Sequence, residues 1–175
     1  MTVTFTIPEI ETERLRLRAP KASDLAAYTA FRGSDRAKTV GGPYPAHVAW
    51  EQLANLVGHW VLRGFGRWMI ADKHDDAPLG VAGLYHPQEW PEPELAWSLF
   101  EQAEGRGIAY EAALACRAFA YNTLGWTTLI SCVDPTNTRS VALAHRMGCM
   151  AEGSFDHLDL GTLHIWRHPN PEVLT

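Results

Sequence analysis

Glu104-Gly105-Arg106-Gly107-Ile108-Ala109-Tyr110-Glu111-Ala112 is the stretch on which the fold turns. Ahead of it, Glu94-Leu-Ala-Trp-Ser-Leu-Phe100 reads as a strand. Behind it runs a helical pattern, with Ile108, Ala112, Ala115, Cys116 and Phe119 at i, i+4, i+7, i+8 and i+11. A glycine turn that opens a helix offers main-chain N–H groups with no intrahelical partner, and the helix dipole adds to their pull on an anion. Gly105 and Gly107 lack Cβ, so a phosphate can approach the main chain closely. Gly-x-Gly by itself is equally consistent with a plain tight turn.

Outward from this centre, Arg14–Arg18 alternates leucine with arginine, the pattern of a half-buried strand. Pro20 ends it, and Ser23 is placed to cap a helix running through Phe31. Arg32–Pro45, with Gly33, Gly41, Gly42, Pro43 and Pro45, is expected as a loop. A second helix spans Ala46 to Arg63, its apolar stripe read as Trp50, Leu53, Val57, Trp60 and Val61. Gly64 and Gly66 stop it. Strands follow at Arg67–Asp72 and Leu79–Tyr85, joined by a polar turn, and a proline-rich link, Pro87–Pro93, leads back to Glu94. Beyond the glycine turn and its helix, Leu129–Val133 reads as a strand. A short helix follows, with Asn137 as N-cap and Gly148 as the residue past its end. Strands near Ser154–Leu160 and Thr162–His168 turn at Gly161. The order β-α-α-β-β-β-α-β-α-β-β implies a mixed α/β or α+β sandwich rather than a repeating βαβ fold.

The 175 residues fit one domain, 1–175, with room for a substantial core. Hydrophobic content of 46% against 20% charged is that of an ordinary soluble globule. A net charge of −5 argues against non-specific nucleic-acid binding and mildly favours a cationic partner such as an amine. Cys116, Cys132 and Cys149 are odd in number and lack metal-ligand spacing, as expected of reduced thiols in the cytoplasm. No histidine pair has zinc-like spacing, so no metal is expected. The N-terminus has no leader pattern and no stretch is long enough to span a membrane, so no membrane partner is expected.

The downstream half of the pattern sharpens the reading. Asp134-Pro-Thr-Asn-Thr-Arg-Ser140 leads into Val141-Ala-Leu-Ala-His-Arg-Met-Gly148. Together with Gly105, Gly107, Ala109, Ala112 and Leu124-Gly125, these blocks resemble the GCN5-related N-acetyltransferase (GNAT) superfamily in its RimJ/RimL-like branch, with its "GxGxAxxA" turn and "DPxNxxS" block. The opening Thr12-Glu-Arg-Leu-Arg-Leu-Arg18 also looks like that branch's first strand, and the resemblance covers roughly residues 10–168. It implies a mostly antiparallel, splayed sheet with helices on both faces. It implies an acetyl-CoA-dependent N-acetyltransferase acting on a primary amine, either a small molecule or a protein N-terminus, by direct attack in a ternary complex. A homodimer is left open. The alternative is a module that binds acetyl-CoA without turnover.

Two registers of the phosphate motif compete. Gln102-x-x-Gly105-x-Gly107 matches the family on letters, whereas Glu104-x-x-Gly107-x-Ala109 puts an acid in the first place. The second is preferred because it sets Ala109 and Ala112 inside the helix and keeps the family-like interval to Asn137. It leaves Glu104 to repel the pyrophosphate unless it points away. The resemblance then implies that the N–H groups of Gly105, Arg106, Gly107, Ile108, Ala109 and Tyr110 bind the coenzyme pyrophosphate, with Arg106 adding charge. Leu99 would offer main-chain groups to pantetheine, and Asn137 would touch the coenzyme arm while capping its helix.

For the chemistry, the family's usual acid, a tyrosine in the last helix, is replaced by Ala144, and a base glutamate of some relatives aligns with Cys132. The resemblance implies Ser140, placed where RimL-like enzymes have a serine near the coenzyme sulfur, as the candidate acid, and Glu94, which opens that branch's strand block, as the candidate base, with His86 an outside alternative and His145 assigned to surface or packing. Trp50, Trp60 and Trp68 are weighed as acceptor-pocket walls beside Tyr44, and more readily as core.

Overall fold

The computed structural model describes residues 4–174; Met1–Val3, where the segment read for a leader begins, and Thr175 lie outside the described residues. The elements run β1 (Ile10–Glu11), β2 (Leu15–Arg18), α1 (Leu25–Arg32), α2 (Ala46–Arg63), β3 (Arg67–Asp72), β4 (Pro78–Tyr85), β5 (Glu94–Leu99), α3 (Ile108–Asn122), β6 (Ile130–Val133), α4 (Thr138–Arg146), β7 (Met150–His157) and β8 (Gly161–Arg167). They build one eight-stranded sheet in the order β1-β2-β3-β4-β5-β6-β8-β7.

The neighbours are antiparallel except β5 and β6, which run parallel and register through a single pair, Glu94 with Ile130. Past that pair the two strands part. Ser131 closes the near end of the split: its hydroxyl donates to the Leu95 carbonyl at 2.6 Å and sits 2.9 Å from His168 Nε2. The parallel pairing follows from the α3 crossover; of the antiparallel pairs, β1–β2, β3–β4, β4–β5 and β7–β8 are consecutive in the chain, whereas β2–β3 are joined through α1 and α2 and β6–β8 through α4 and β7.

Period-2 alternation sends β3 side chains to two cores. Trp68 and Ile70 join Leu15, Leu17, Ala82 and Leu95 beneath α3, whose Ile108, Ala112, Cys116 and Ala120 face the sheet. Met69 and Val81 point the other way, against Tyr28 and Phe31 of α1 and Leu53 and Leu56 of α2. The alanine-rich stripe of α3 allows the close approach read from its spacing. Helix α4 joins the α3 side through Ala144 and Met147.

Four local expectations are corrected. Ser23 does not cap α1. It lies in a 3-10 turn, Ala22–Asp24, and the helix begins at Leu25. Asp24 organises this corner instead, because the buried Arg18 needs a counter-ion and takes both Asp24 oxygens at 2.8 and 2.9 Å. On α2 the buried stripe is Ala49, Leu53, Leu56 and Trp60, while Trp50 stays 58% exposed, rotated off the face the sheet covers. The β7 strand starts four residues earlier than expected, at Met150, and residues 158–160 make the turn, with Gly161 in a left-handed conformation (φ 70°) at its close. The loop expected at Arg32–Pro45 contains a 3-10 segment, Asp35–Val40.

Candidate active site

The split between β5 and β6 opens into two cavities that meet. The first, about 540 Å³, is lined by the end of β5, the glycine turn, the start of α4 and the Asp35–Val40 segment. Leu99, Gly105, Gly107, Ile108, Ala109, Tyr110, Asn137 and Ser140, eight of the residues singled out from sequence, share its wall.

Helix α3 begins at Ile108, capped by Gly107 with φ 76°, so Ala109 and Ala112 lie inside it as the second register requires. Gly105 is also left-handed, at φ 71°. A Cβ built on Gly105 meets nothing within 4 Å, so the turn's main chain borders open space. The N–H groups of the first helical turn have no intrahelical acceptor. Arg14 fixes this turn from outside, donating from Nη1 to the Arg106 carbonyl at 2.9 Å and from Nε to Glu111 at 2.7 Å. The Thr12 hydroxyl donates to the same carboxylate at 2.5 Å.

Arg106 is not among the residues on the cavity wall. Its Nη1 folds back to the Gln102 carbonyl at 3.4 Å, because the two left-handed glycines flanking it turn its side chain outward. Cations reach the cavity from elsewhere. Arg36 and Arg139 both pair with Glu104, and Arg146 stacks 3.9 Å from the centre of the Tyr110 ring. The repulsion expected of Glu104 is therefore neutralised: its two arginine partners hold its carboxyl below the usual range despite partial burial. A phosphate-sized anion fits this cradle of free N–H groups, open glycine surface and arginines.

The second cavity, about 380 Å³, lies on the other side of the split and shares Thr39, Val40, Trp97, Ser98, Asn137 and Ser140 with the first. The junction is built by hydrogen bonds. Asn137 Oδ1 accepts the Ser140 N–H at 3.2 Å, the helix cap read from sequence, while its Nδ2 donates to Thr39 Oγ1 at 2.9 Å. Trp97 Nε1 donates to Ser140 Oγ at 3.2 Å. With its oxygen accepting from the indole, the Ser140 hydroxyl proton is directed to another acceptor.

Glu94 lies in the second cavity, only 4% exposed. Its Oε2 accepts the Cys132 main-chain N–H at 2.8 Å, so a carboxylate rooted on β5 crosses to β6 just where the strands part. Burial raises its pKa to about 7, against the opposing pull of that N–H and of the Arg67 charge. Trp60 and Trp68 are core, and Trp50 lies on the exposed face of α2; Tyr44 does reach the second cavity. His86 lies on neither cavity wall and is held through its N–H to His59 Nε2 at 3.0 Å. The His145 ring packs edge-on against Trp166, 4.6 Å between centres, consistent with a packing role.

Sequence reasoning missed Arg32, Arg67, Tyr85 and Thr39 as site residues. None belongs to a motif, and each reaches the site only through tertiary packing.

Comparison with known proteins places this arrangement. The family model described as an acetyltransferase (GNAT) domain matches residues 14–150. The crystal structure of an acetyltransferase from Agrobacterium tumefaciens str. C58 is 37% identical, with a TM-score of 0.86 over 97% of this chain and 99% of that one. YkkB of Bacillus subtilis (strain 168) is 27% identical over 150 residues, 80% of this chain and 84% of its own length. The ribosomal L7/L12 α-N-protein acetyltransferase RimL, solved in complex with coenzyme A, shares the fold at 16% identity, with a TM-score of 0.75 over 92% of this chain and 97% of that one. With its family model covering the chain from β2 to the start of β7, this protein belongs to the GNAT acetyltransferases and is an acyltransferase.

Proposed function

We propose that this chain, acting as one domain over residues 1–175 and on the RimJ/RimL-like branch of its family, moves the acetyl group of acetyl-CoA to a primary amine by direct attack in a ternary complex. The observation that carries this reading is Glu94, a buried carboxylate poised near neutral pKa at the mouth of the split. In the proposed arrangement the pyrophosphate lies on the N–H groups from Gly105 to Tyr110, with Arg36 and Arg139 as the nearby cations. Pantetheine follows the free edge of β5 at Leu99, and the thioester reaches the Trp97–Ser140 junction. The amine enters from the second cavity.

Attack forms the C–N bond and breaks C–S. The nitrogen gives up its surplus proton to Glu94 through water, and the departing sulfur takes one from Ser140, which solvent then restores. A base is most effective with a pKa near the working pH, which suits a carboxyl raised to about 7. The missing family base, at Cys132, would thus be replaced by a carboxylate arriving from the neighbouring strand on that residue's own N–H.

The test is thiol release from acetyl-CoA with a panel of amines, beside thermal unfolding with acetyl-CoA. At 100 times its dissociation constant, a ligand adds about 2.7 kcal/mol of stability. Stabilisation with transfer supports the enzyme. Stabilisation without transfer to any amine favours a binding module, and no stabilisation removes the coenzyme assignment.

A further inference from the structure

The second cavity carries both signs of charge. Glu89, Glu94, Asp134 and Asp159 lie on its wall with Arg32 and Arg67. Acids suit an incoming amine, but the two arginines have no role in the chemistry above. Arg32 is 8% exposed and stacks on Tyr44, 4.9 Å from the ring centre. It donates from Nε to Gln52 at 2.6 Å, from Nη1 to the Val40 carbonyl at 3.2 Å and from Nη2 to the Gly41 carbonyl at 3.5 Å, leaving one N–H on each Nη for a ligand. Arg67 lies over Tyr85 at 4.1 Å, and among the described residues its guanidinium makes no hydrogen bond to the protein. Neither arginine has a carboxylate within 4.0 Å among the described residues.

Arg18, more deeply buried, is met by Asp24 and Asp76, and the half-buried Arg167 by Glu92 and Glu152. Arg117, as buried as Arg32, also lacks a carboxylate among the described residues, but it donates to the Met147 carbonyl and lines neither cavity. For the buried Arg32, a guanidinium without a counter-ion is costly, and the planar fork of either arginine matches a carboxylate or phosphate. Stacking on a tyrosine holds that fork in place before any ligand arrives. Burial, with a smaller contribution from the repulsion of Arg67, pulls Arg32 below the ordinary arginine value. An anion between them relieves both penalties.

We infer that the acceptor is a small amine that also bears an anion, a carboxylate or a phosphate, held by Arg67 and Arg32 while its amino group faces Glu94. This rests on the acyl transfer proposed above. A volume of about 380 Å³ lies at the lower end of small-molecule sites, which favours a compact metabolite over a folded protein terminus.

The experiment uses matched pairs with acetyl-CoA: phenylalanine against phenethylamine, and O-phosphoethanolamine against ethanolamine. Both kcat/KM by thiol release and binding in the presence of CoA are measured, on wild type and Arg67→Gln. Wild type is expected to prefer the anion-bearing member of at least one pair by about tenfold or more, as loss of a charge partner in a desolvated site does. That preference should collapse in Arg67→Gln and partly return in Arg67→Lys. Removing Arg67 also raises the Glu94 carboxyl, but this affects both members of a pair and cancels in their ratio. Which pair responds separates carboxylate from phosphate.

Transfer that favours the neutral members, or a preference unchanged in Arg67→Gln, overturns the anion while leaving acyl transfer intact. Transfer confined to peptides overturns the small-molecule claim. If nothing is acetylated, anion-selective binding lost in Arg67→Gln still supports the pocket, and its absence overturns it.

Discussion

The two cavities on either side of the split are made of different material. The larger is mainly a main-chain surface: left-handed glycines, the first turn of α3 and the edge of β5, with arginines at its border. The smaller is a side-chain chamber in which Glu94, Arg32, Arg67, Tyr44 and Tyr85 converge from five elements and loops. A main-chain surface tolerates side-chain change and holds a ligand common to a whole family. In the reaction proposed above, acceptor choice and proton transfer belong to the side-chain chamber, and single substitutions there should have larger effects.

The largest expected effect is at Glu94. Glu94→Gln should lower kcat about 100-fold or more near neutral pH, the usual contribution of a general base, with acetyl-CoA affinity little changed. The same substitution has a stability signature. The folded-state pKa, about 7, lies above the ordinary carboxyl value of 4.5, so the folded protein binds this proton more tightly than the unfolded chain does. Below pH 4.5 both states are protonated and nothing is lost; as pH rises to 7, ionising the buried group costs about 3 kcal/mol. Urea unfolding of wild type and Glu94→Gln across pH 4–8 should therefore diverge, with the variant relatively more stable at the alkaline end. Parallel curves would show that Glu94 is not buried as a charge.

Ser140→Ala comes next. As the proposed proton donor to sulfur it should lower kcat about 10- to 100-fold, and the deficit should shrink with an acyl donor whose leaving thiol is more acidic. An equal deficit with both donors would assign Ser140 to packing under Trp97.

On the main-chain side the effects should be smaller. Gly107→Ala forces a Cβ into a left-handed position at φ 76°, for about 1–2 kcal/mol of folding stability, with acetyl-CoA binding weakened several-fold. Calorimetry reads both. Glu104→Gln should have the smallest effect: freeing Arg36 and Arg139 should strengthen acetyl-CoA binding a few-fold at low salt and hardly at all at high salt. If the glycine variant harms turnover more than Glu94→Gln does, the division between the two cavities is mistaken.

The same division explains what the sequence made legible. Gly105-x-Gly107, the Asn137 cap and the helix periodicity are local instructions, so the α3 start and the α4 cap lie where the spacing puts them. The buried face of α2 was misread because Trp50, Val57 and Val61 are apolar but uncovered, and periodicity alone does not say which apolar side meets the sheet. The Ser23 corner failed because Asp24, beside it, pairs with the buried Arg18 six residues back, which a cap pattern does not reveal. Glu94 was legible as a candidate from its block, but its burial was not. That depends on β5 and β6 separating after one register pair, which no local pattern encodes. Arg32 and Arg67, 35 positions apart, line one cavity only because α1 and β3 share a core through Tyr28, Phe31 and Met69 in the folded chain.

The most direct test of the central claim is the pH dependence of kcat/KM for acetyl transfer to one accepted amine, in wild type and in Glu94→Gln. Dividing one profile by the other cancels the ionisation of the amine itself. If Glu94 takes the proton, the ratio falls as pH drops through about 7, because the wild-type base is being protonated while the variant has none to lose. A ratio that stays flat across that range would contradict the assignment and move proton removal to water or to another group.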